Sequence, residues 1–125
     1  MDKIKSHRDL KVYQLAYEAA LEIQEITNTF PSAEKYSLTD QMRRSSRSVC
    51  SNIAEAYRKR RYPKNFISKL SDSEAESSET QVWLDFAKSC KYITDEDHSA
   101  IMLKYTDVGN LLGDMINNPQ KYQDK

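Results

Sequence analysis

Glycine and proline are scarce, with two of the one and three of the other in 125 residues. A β-sandwich or barrel turns its chain about every eight to twelve residues and leans on those residue types to do so. Their scarcity excludes such folds and leaves a few long elements. Long apolar runs are missing as well. No stretch approaches the roughly 20 residues that span a bilayer, so no membrane contact is expected. The opening MDKIKSHRDL lacks the apolar core of a secretory signal, and the expected location is the cytoplasm. Cys50 and Cys90 stand far apart, without CxxC spacing or clustered histidines. That pattern reads as two reduced thiols and no metal site. A phosphate-cradling glycine loop is absent too, since Gly109 and Gly113 fall inside a helical pattern, where their spacing suggests close helix contact.

Net charge is also missing: 19 Lys and Arg balance 19 Asp and Glu. The balance hides a division. Residues 1–64 hold 13 basic side chains against 8 acidic ones, and residues 65–125 hold 6 against 11. Either the halves pair, within one bundle or across subunits, or the basic half faces an anionic partner.

What is present is helical periodicity. Apolar residues make up 38% of the chain and charged residues 30%, a polar composition that folds when the apolar side chains fall on stripes. The length suits one domain, residues 1–125. Four helices are expected, over about residues 9–29, 38–61, 64–92 and 95–117. Val12, Ala16, Ala19, Ile23 and Ile26 form the first stripe, with Asp9 as N-cap and Phe30-Pro31 as the stop. Leu38, Met42, Ser45, Val49, Ile53 and Ala56 or Tyr57 form the second, ended before Pro63. The third row is Phe66, Leu70, Ser73, Ser77, Thr80, Leu84 and Ala87. Its centre, SDSEAESSET, is short of large apolar groups; either a neighbouring helix comes close there or the stretch is exposed. Thr94 or Asp95 caps the fourth helix, whose stripe is Ile101, Tyr105, Val108, Leu112 and Met115, and Asn117-Asn118-Pro119 ends it. Short connections make consecutive helices antiparallel, so the fold class is all-α, an antiparallel up-down four-helix bundle.

The stretch RRSSRSVCSNIAEAYRKRRYPKN carries the clearest functional signal. At 100° per residue, Arg43, Arg47, Arg58 and Arg61 lie within about 80° of one another on a helix and extend along roughly 27 Å of it. Arg44, Lys59, Arg60 and Lys64 thicken the ends. Such a stripe can track a phosphate backbone with salt-sensitive affinity, and Tyr57 and Tyr62 are placed to stack on unpaired bases. The competing reading is a solvated face paired with Glu74, Glu76 and Glu79.

Gln41, Ser48, Asn52 and Glu55 form a polar row beside the apolar one, and with Glu79 they are expected to make a buried polar network, since buried polar groups need partners. Read catalytically, Glu55 and Glu79 would be a carboxylate pair. No Glu-x-x-His motif accompanies them, and neither His7 nor His98 has helical spacing to Cys50 or its neighbouring serines. Neither catalytic residues, a metal site nor a cofactor is therefore expected.

These residues meet a known pattern. Asp9-Leu10, Phe30-Pro31 with Glu34 and Tyr36, Leu38 with Gln41 and Arg44, and above all SVCSNIAEA from Ser48 carry it, with Phe66, Leu70, Glu79, Leu84 and Ala87 continuing it. Over about residues 9–117 the chain resembles the bacterial four-helix-bundle proteins encoded by intervening sequences of 23S ribosomal RNA genes. It departs from them at Ala56, where glycine is usual, and in the acidic, serine-rich centre of helix three. The resemblance implies an up-down bundle and a ring-like homopentamer. It also extends to the accessory protein of diversity-generating retroelements, a strongly basic pentameric barrel that binds nucleic acid and reverse transcriptase, whereas this chain is neutral. The family has no known catalytic residues to carry over. The resulting expectation is a non-catalytic homo-oligomer binding RNA or DNA through helix two; the alternative is an assembly module that engages only protein partners.

Overall fold

The computed structural model describes residues 3–123. Among these it contains four α-helices, α1 (Lys11–Thr27), α2 (Leu38–Arg58), α3 (Pro63–Ser89) and α4 (Asp95–Asn117). Short 3-10 turns lie at His7–Asp9, Ser32–Glu34 and Pro119–Tyr122, and there is no strand. α1 and α3 each pack against both α2 and α4, while neither diagonal pair approaches closely. With each helix reversing the one before, this is an antiparallel up-down four-helix bundle.

The stripes become the core. The α2, α3 and α4 rows are buried throughout, including the small hydroxyl residues of α3. α1 buries Val12, Ala16, Ala19 and Ile23, with Thr27 rather than Ile26 at the last buried position. The centre of α3 is therefore a place of close approach. Ser73 Oγ donates to the main-chain carbonyl of Val49 at 2.9 Å, and the hydroxyls of Thr80 and Ser45 are 2.8 Å apart. Side chains this small let the two backbones near one another, and their hydroxyls are satisfied locally, so burying them costs little. Gly109 and Gly113 do not follow the same logic. A Cβ added at either would meet nothing within 4 Å, so their spacing serves no helix contact within the chain.

Helix ends differ from the periodic expectation wherever a side chain folds back. Asp9 does not cap α1. It closes a capping box with Ser6 around the preceding 3-10 turn, and α1 begins after Leu10 without a side-chain cap. α1 ends at Thr27, whose hydroxyl donates to the Ile23 carbonyl at 2.7 Å. α2 stops at Arg58, not at residue 61. There Arg60 folds back: its guanidinium lies 3.7 Å from the centre of the Tyr57 ring, and its Nε donates to the Tyr57 carbonyl at 2.9 Å. Pro63 opens α3 as its fixed φ favours. α3 ends at Ser89 because Lys91 adopts a left-handed φ of 63°. Lys91 N–H then reaches the Lys88 carbonyl and Tyr92 N–H the Ala87 carbonyl, both at 2.9 Å, a Schellman ending. Thr94 caps α4 by accepting from Asp97 N–H at 3.0 Å.

Two aromatic contacts tie the ends of the bundle. Phe30, after α1, meets Tyr92, after α3, with ring centres 5.3 Å apart. At the other end Tyr122 lies 6.3 Å from Phe66 and donates to Asp114 at 3.2 Å, which folds the last turn beside the start of α3.

A basic bundle end as candidate nucleic-acid interface

Alternating helix direction sorts the charges in a way that linear order conceals. The amino-terminal segment, the α2–α3 turn and the carboxy-terminal turn share one end of the bundle. Across residues 3–9, 58–64 and 118–123 that end carries nine Lys and Arg against one Asp. The opposite end, residues 28–38 and 89–98, carries two against four Asp and Glu. The neutral chain is thus an axial dipole of charge.

The expected stripe on α2 is not continuous, because its arginines turn in different directions. Arg43 reaches the end of α1, where its Nε donates to Thr27 Oγ1 at 2.9 Å and its Nη2 to Asn28 Oδ1 at 3.0 Å. Arg47 donates to Gln24 Oε1 at 2.7 Å and stays exposed. Both partners are neutral, so the two guanidinium charges are not cancelled. Arg44 turns to α3 instead, 2.6 Å from Glu79 and 3.2 Å from Glu76. The bond to Glu79 reinforces its positive charge, while partial burial raises the Glu76 carboxyl against the pull of Arg44. Of the expected pairing with acidic α3, this clamp is the part that forms; Glu74 pairs with none of these arginines.

The remaining five cations gather at the turn. Since α2 ends at Arg58, Lys59, Arg60 and Arg61 lie on a bend and not on a helical face. Among the described residues, Arg58, Lys59 and Lys64 make no ion pair or side-chain hydrogen bond, and all three are exposed. Tyr57, Arg58, Arg60, Arg61 and Tyr62 line a cleft of about 360 Å³. The two tyrosines part company here. Tyr57 is 7% exposed and its ring face is taken by Arg60, so it cannot stack on a base; Tyr62 is 54% exposed.

The expected buried polar network requires correction. Gln41, Ser48, Asn52 and Glu79 are only half-buried in the chain, and Glu55 is exposed. Glu55 pairs with Lys69 at 2.9 Å while Glu79 pairs with Arg44, so different cations hold the two carboxylates. The polar groups truly buried along α2 and α3 are Thr39, Ser45, Ser46, Ser73, Ser77 and Thr80. Hydroxyls can bond to their own helix and enter the core. Longer amides and carboxylates one position round the helix stay at its rim, where water reaches them.

The structure also shows two apolar grooves. One, between α1 and α2, measures about 390 Å³ and includes Tyr17 and Leu21, both about half exposed. The other, between the start of α2 and the end of α3, measures about 400 Å³ and includes Leu38, Trp83 and Phe86. Phe86 is 53% exposed, and its ring centre lies 6.1 Å from that of Trp83. An apolar residue repeating four positions along an outward face, as Tyr17–Leu21 and Val82–Phe86 do, was the available signal. Among the described residues no three His, Cys, Asp or Glu side chains gather to hold a metal ion, and no helix is long and apolar enough to cross a membrane.

A family model described as 23S rRNA-intervening sequence protein matches residues 8–114. No curated protein matches the chain. A crystal structure of a protein of unknown function from the S23 ribosomal protein family of Bacteroides thetaiotaomicron superposes with a TM-score of 0.76. The two are 29% identical, over 84% of this chain and 97% of the other.

Proposed function

The chain belongs to the 23S rRNA-intervening sequence protein family, and we propose that it is a non-catalytic, oligomeric bundle that binds RNA or DNA phosphates through its basic end. The observation that carries this reading is the α2–α3 turn, where Arg58, Lys59 and Lys64 stand exposed without carboxylate partners among the described residues. Arg60 and Arg61 line the adjoining cleft, and Arg43 and Arg47 extend the positive field along α2. Arg44 contributes least, being neutralised by Glu76 and Glu79.

Oligomerisation is supported by the two apolar grooves. They lie on different edges, α1–α2 and α2–α3, so a contact joining one to the other is heterologous. Such contacts close into rings when the rotation permits, in keeping with the homopentamer that the family resemblance implies. A ring would multiply weak phosphate contacts through multivalency. The cytoplasm is the compartment where such a protein meets RNA and DNA.

A gel-shift titration at about 50 and 200 mM salt tests the binding. With six or more phosphate contacts, affinity should fall by at least about 10³ between those salts. Reversing Arg58 and Lys59 to Glu should abolish the shift, while reversing Lys35 and Lys91 at the opposite end should leave it. No binding at low salt, or binding indifferent to salt, would leave the alternative reading, a protein-assembly module whose basic residues serve contacts such as the Arg44 clamp.

A further inference from the structure

The basic end contains one feature that phosphate attraction alone does not use. Tyr62 is half exposed at the mouth of the cleft that Arg58, Arg60 and Arg61 also line. It is held there by backbone on both sides: its N–H bonds to the Lys59 carbonyl at 2.8 Å, and its own carbonyl accepts from Phe66 N–H at 2.9 Å. Pro63 follows at the first position of α3 and fixes the chain direction. The ring is therefore displayed from a rigid corner. Arg60 is stacked on Tyr57 and so lines the cleft in a fixed pose. Arg58 and Lys59 flank the corner without partners among the described residues.

We propose that this corner seats a single unpaired nucleotide, its base stacked on Tyr62 and its phosphate met by Arg58 and Lys59, so that the protein prefers single-stranded nucleic acid to duplex. The inference rests on the nucleic-acid reading above and narrows it to a strand type and a seat. Three observations favour it. The cations converge on a bend instead of running along a helix, which suits one flexible backbone better than the regular phosphate rows of a duplex. The cleft, about 360 Å³, falls in the size range of small-ligand sites. An aromatic face beside basic groups is the arrangement that holds unpaired bases; a duplex, with its bases stacked inside, offers such a ring nothing.

The test is fluorescence anisotropy on the full chain with a labelled 12-nucleotide RNA of mixed sequence, alone and annealed to its complement. Single-stranded RNA should bind at least about tenfold more tightly than duplex. Y62A should weaken single-strand binding by roughly 5- to 100-fold, the range of one stacked base, without altering its salt slope or duplex binding. Y62F should bind like the parent. R58A should reduce the salt slope by about one phosphate contact. Circular dichroism and sedimentation should be unchanged in Y62A, because Tyr62 is more exposed than buried; if they change, Y62L, which keeps bulk without a ring, replaces it. Equal affinity for duplex, or parental affinity in the folded non-aromatic variant, overturns the seat and leaves the basic end intact. Displacement of the RNA by polyglutamate as readily as by unlabelled RNA also overturns it, since charge alone would then suffice. Failure of both RNA forms to bind at low salt removes the broader reading as well.

Discussion

The hydroxyls of Ser45 on α2 and Thr80 on α3 meet at 2.8 Å, fully buried between the two helices. Around them the two helices stay in antiparallel register: Arg44 opposite Glu79, Val49 opposite Ser73, Glu55 opposite Lys69. Small side chains make the seam narrow, and ion pairs at its rim hold the register.

A narrow seam has no room for bulk. Ser73→Leu should destabilise the chain by about 1–3 kcal/mol through overpacking, whereas Ser73→Ala should cost only about 0.5–1.5 kcal/mol for one lost hydrogen bond. Urea unfolding with a constant slope distinguishes the two; a neutral Ser73→Leu would mean that the helices are free to separate.

The left-handed turn at Lys91, φ 63°, carries the penalty of a side chain in a region that glycine occupies freely. Lys91→Gly should therefore stabilise the protein by about 1 kcal/mol, read as a higher urea midpoint. A lower midpoint would show that the lysine side chain makes a contribution that outweighs its backbone strain.

Acid should weaken the bundle through Glu34. The Ser37 hydroxyl, at 2.6 Å, and then the Tyr92 hydroxyl, at 2.9 Å, donate to its carboxylate and hold its pKa below the usual value. A depressed pKa means that the folded chain binds this proton less readily than the unfolded one. The contribution is thus complete above the ordinary carboxylate value of about 4 and fades as pH falls through the folded-state value. Glu34→Gln should show a smaller loss of stability between pH 7 and 3 than the parent, measured by urea midpoints at each pH. An identical loss would place the acid sensitivity elsewhere.

The two thiols should behave differently. Burial pushes the Cys50 thiol up to about 11, while Cys90 is exposed. Because the thiolate is the reactive form, a disulfide reagent at pH 8 should leave Cys50 unmodified until the chain unfolds, whether or not a neighbouring subunit covers Cys90 in its groove. Prompt modification of both would contradict the packing around Cys50.

Gly109 and Gly113 cost α4 helix propensity without easing any contact within the chain. Replacing each by alanine should add about 0.5–1 kcal/mol of stability. If light scattering instead showed a smaller oligomer with helicity intact, those positions would face a neighbouring subunit.

Much of this fold was legible in the sequence because a helix writes its buried face at a fixed period. Even the hydroxyl-rich row of α3, weak in hydrophobicity, kept its spacing and proved wholly buried. The helix ends were not legible. Whether Arg60 continues α2 or folds onto Tyr57, and whether Lys91 turns left-handed, depends on groups that meet only after the helices pack. The basic site was half legible. The arginines were in view, but a stripe presumed one helix through Arg61, and the chain bends after Arg58. The polar row failed for a different reason: spacing tells which residues share a face, not how far a long side chain reaches back to water.

The axial separation of charge has a consequence for any closed ring of these bundles. Side-by-side contacts under cyclic symmetry point every protomer the same way, so one flat surface of such a disc would gather all the lysine- and arginine-rich tips and the other all the carboxylate-rich ones. A polyanion would then find a single landing side, and two discs would attract front to back but repel when placed front to front.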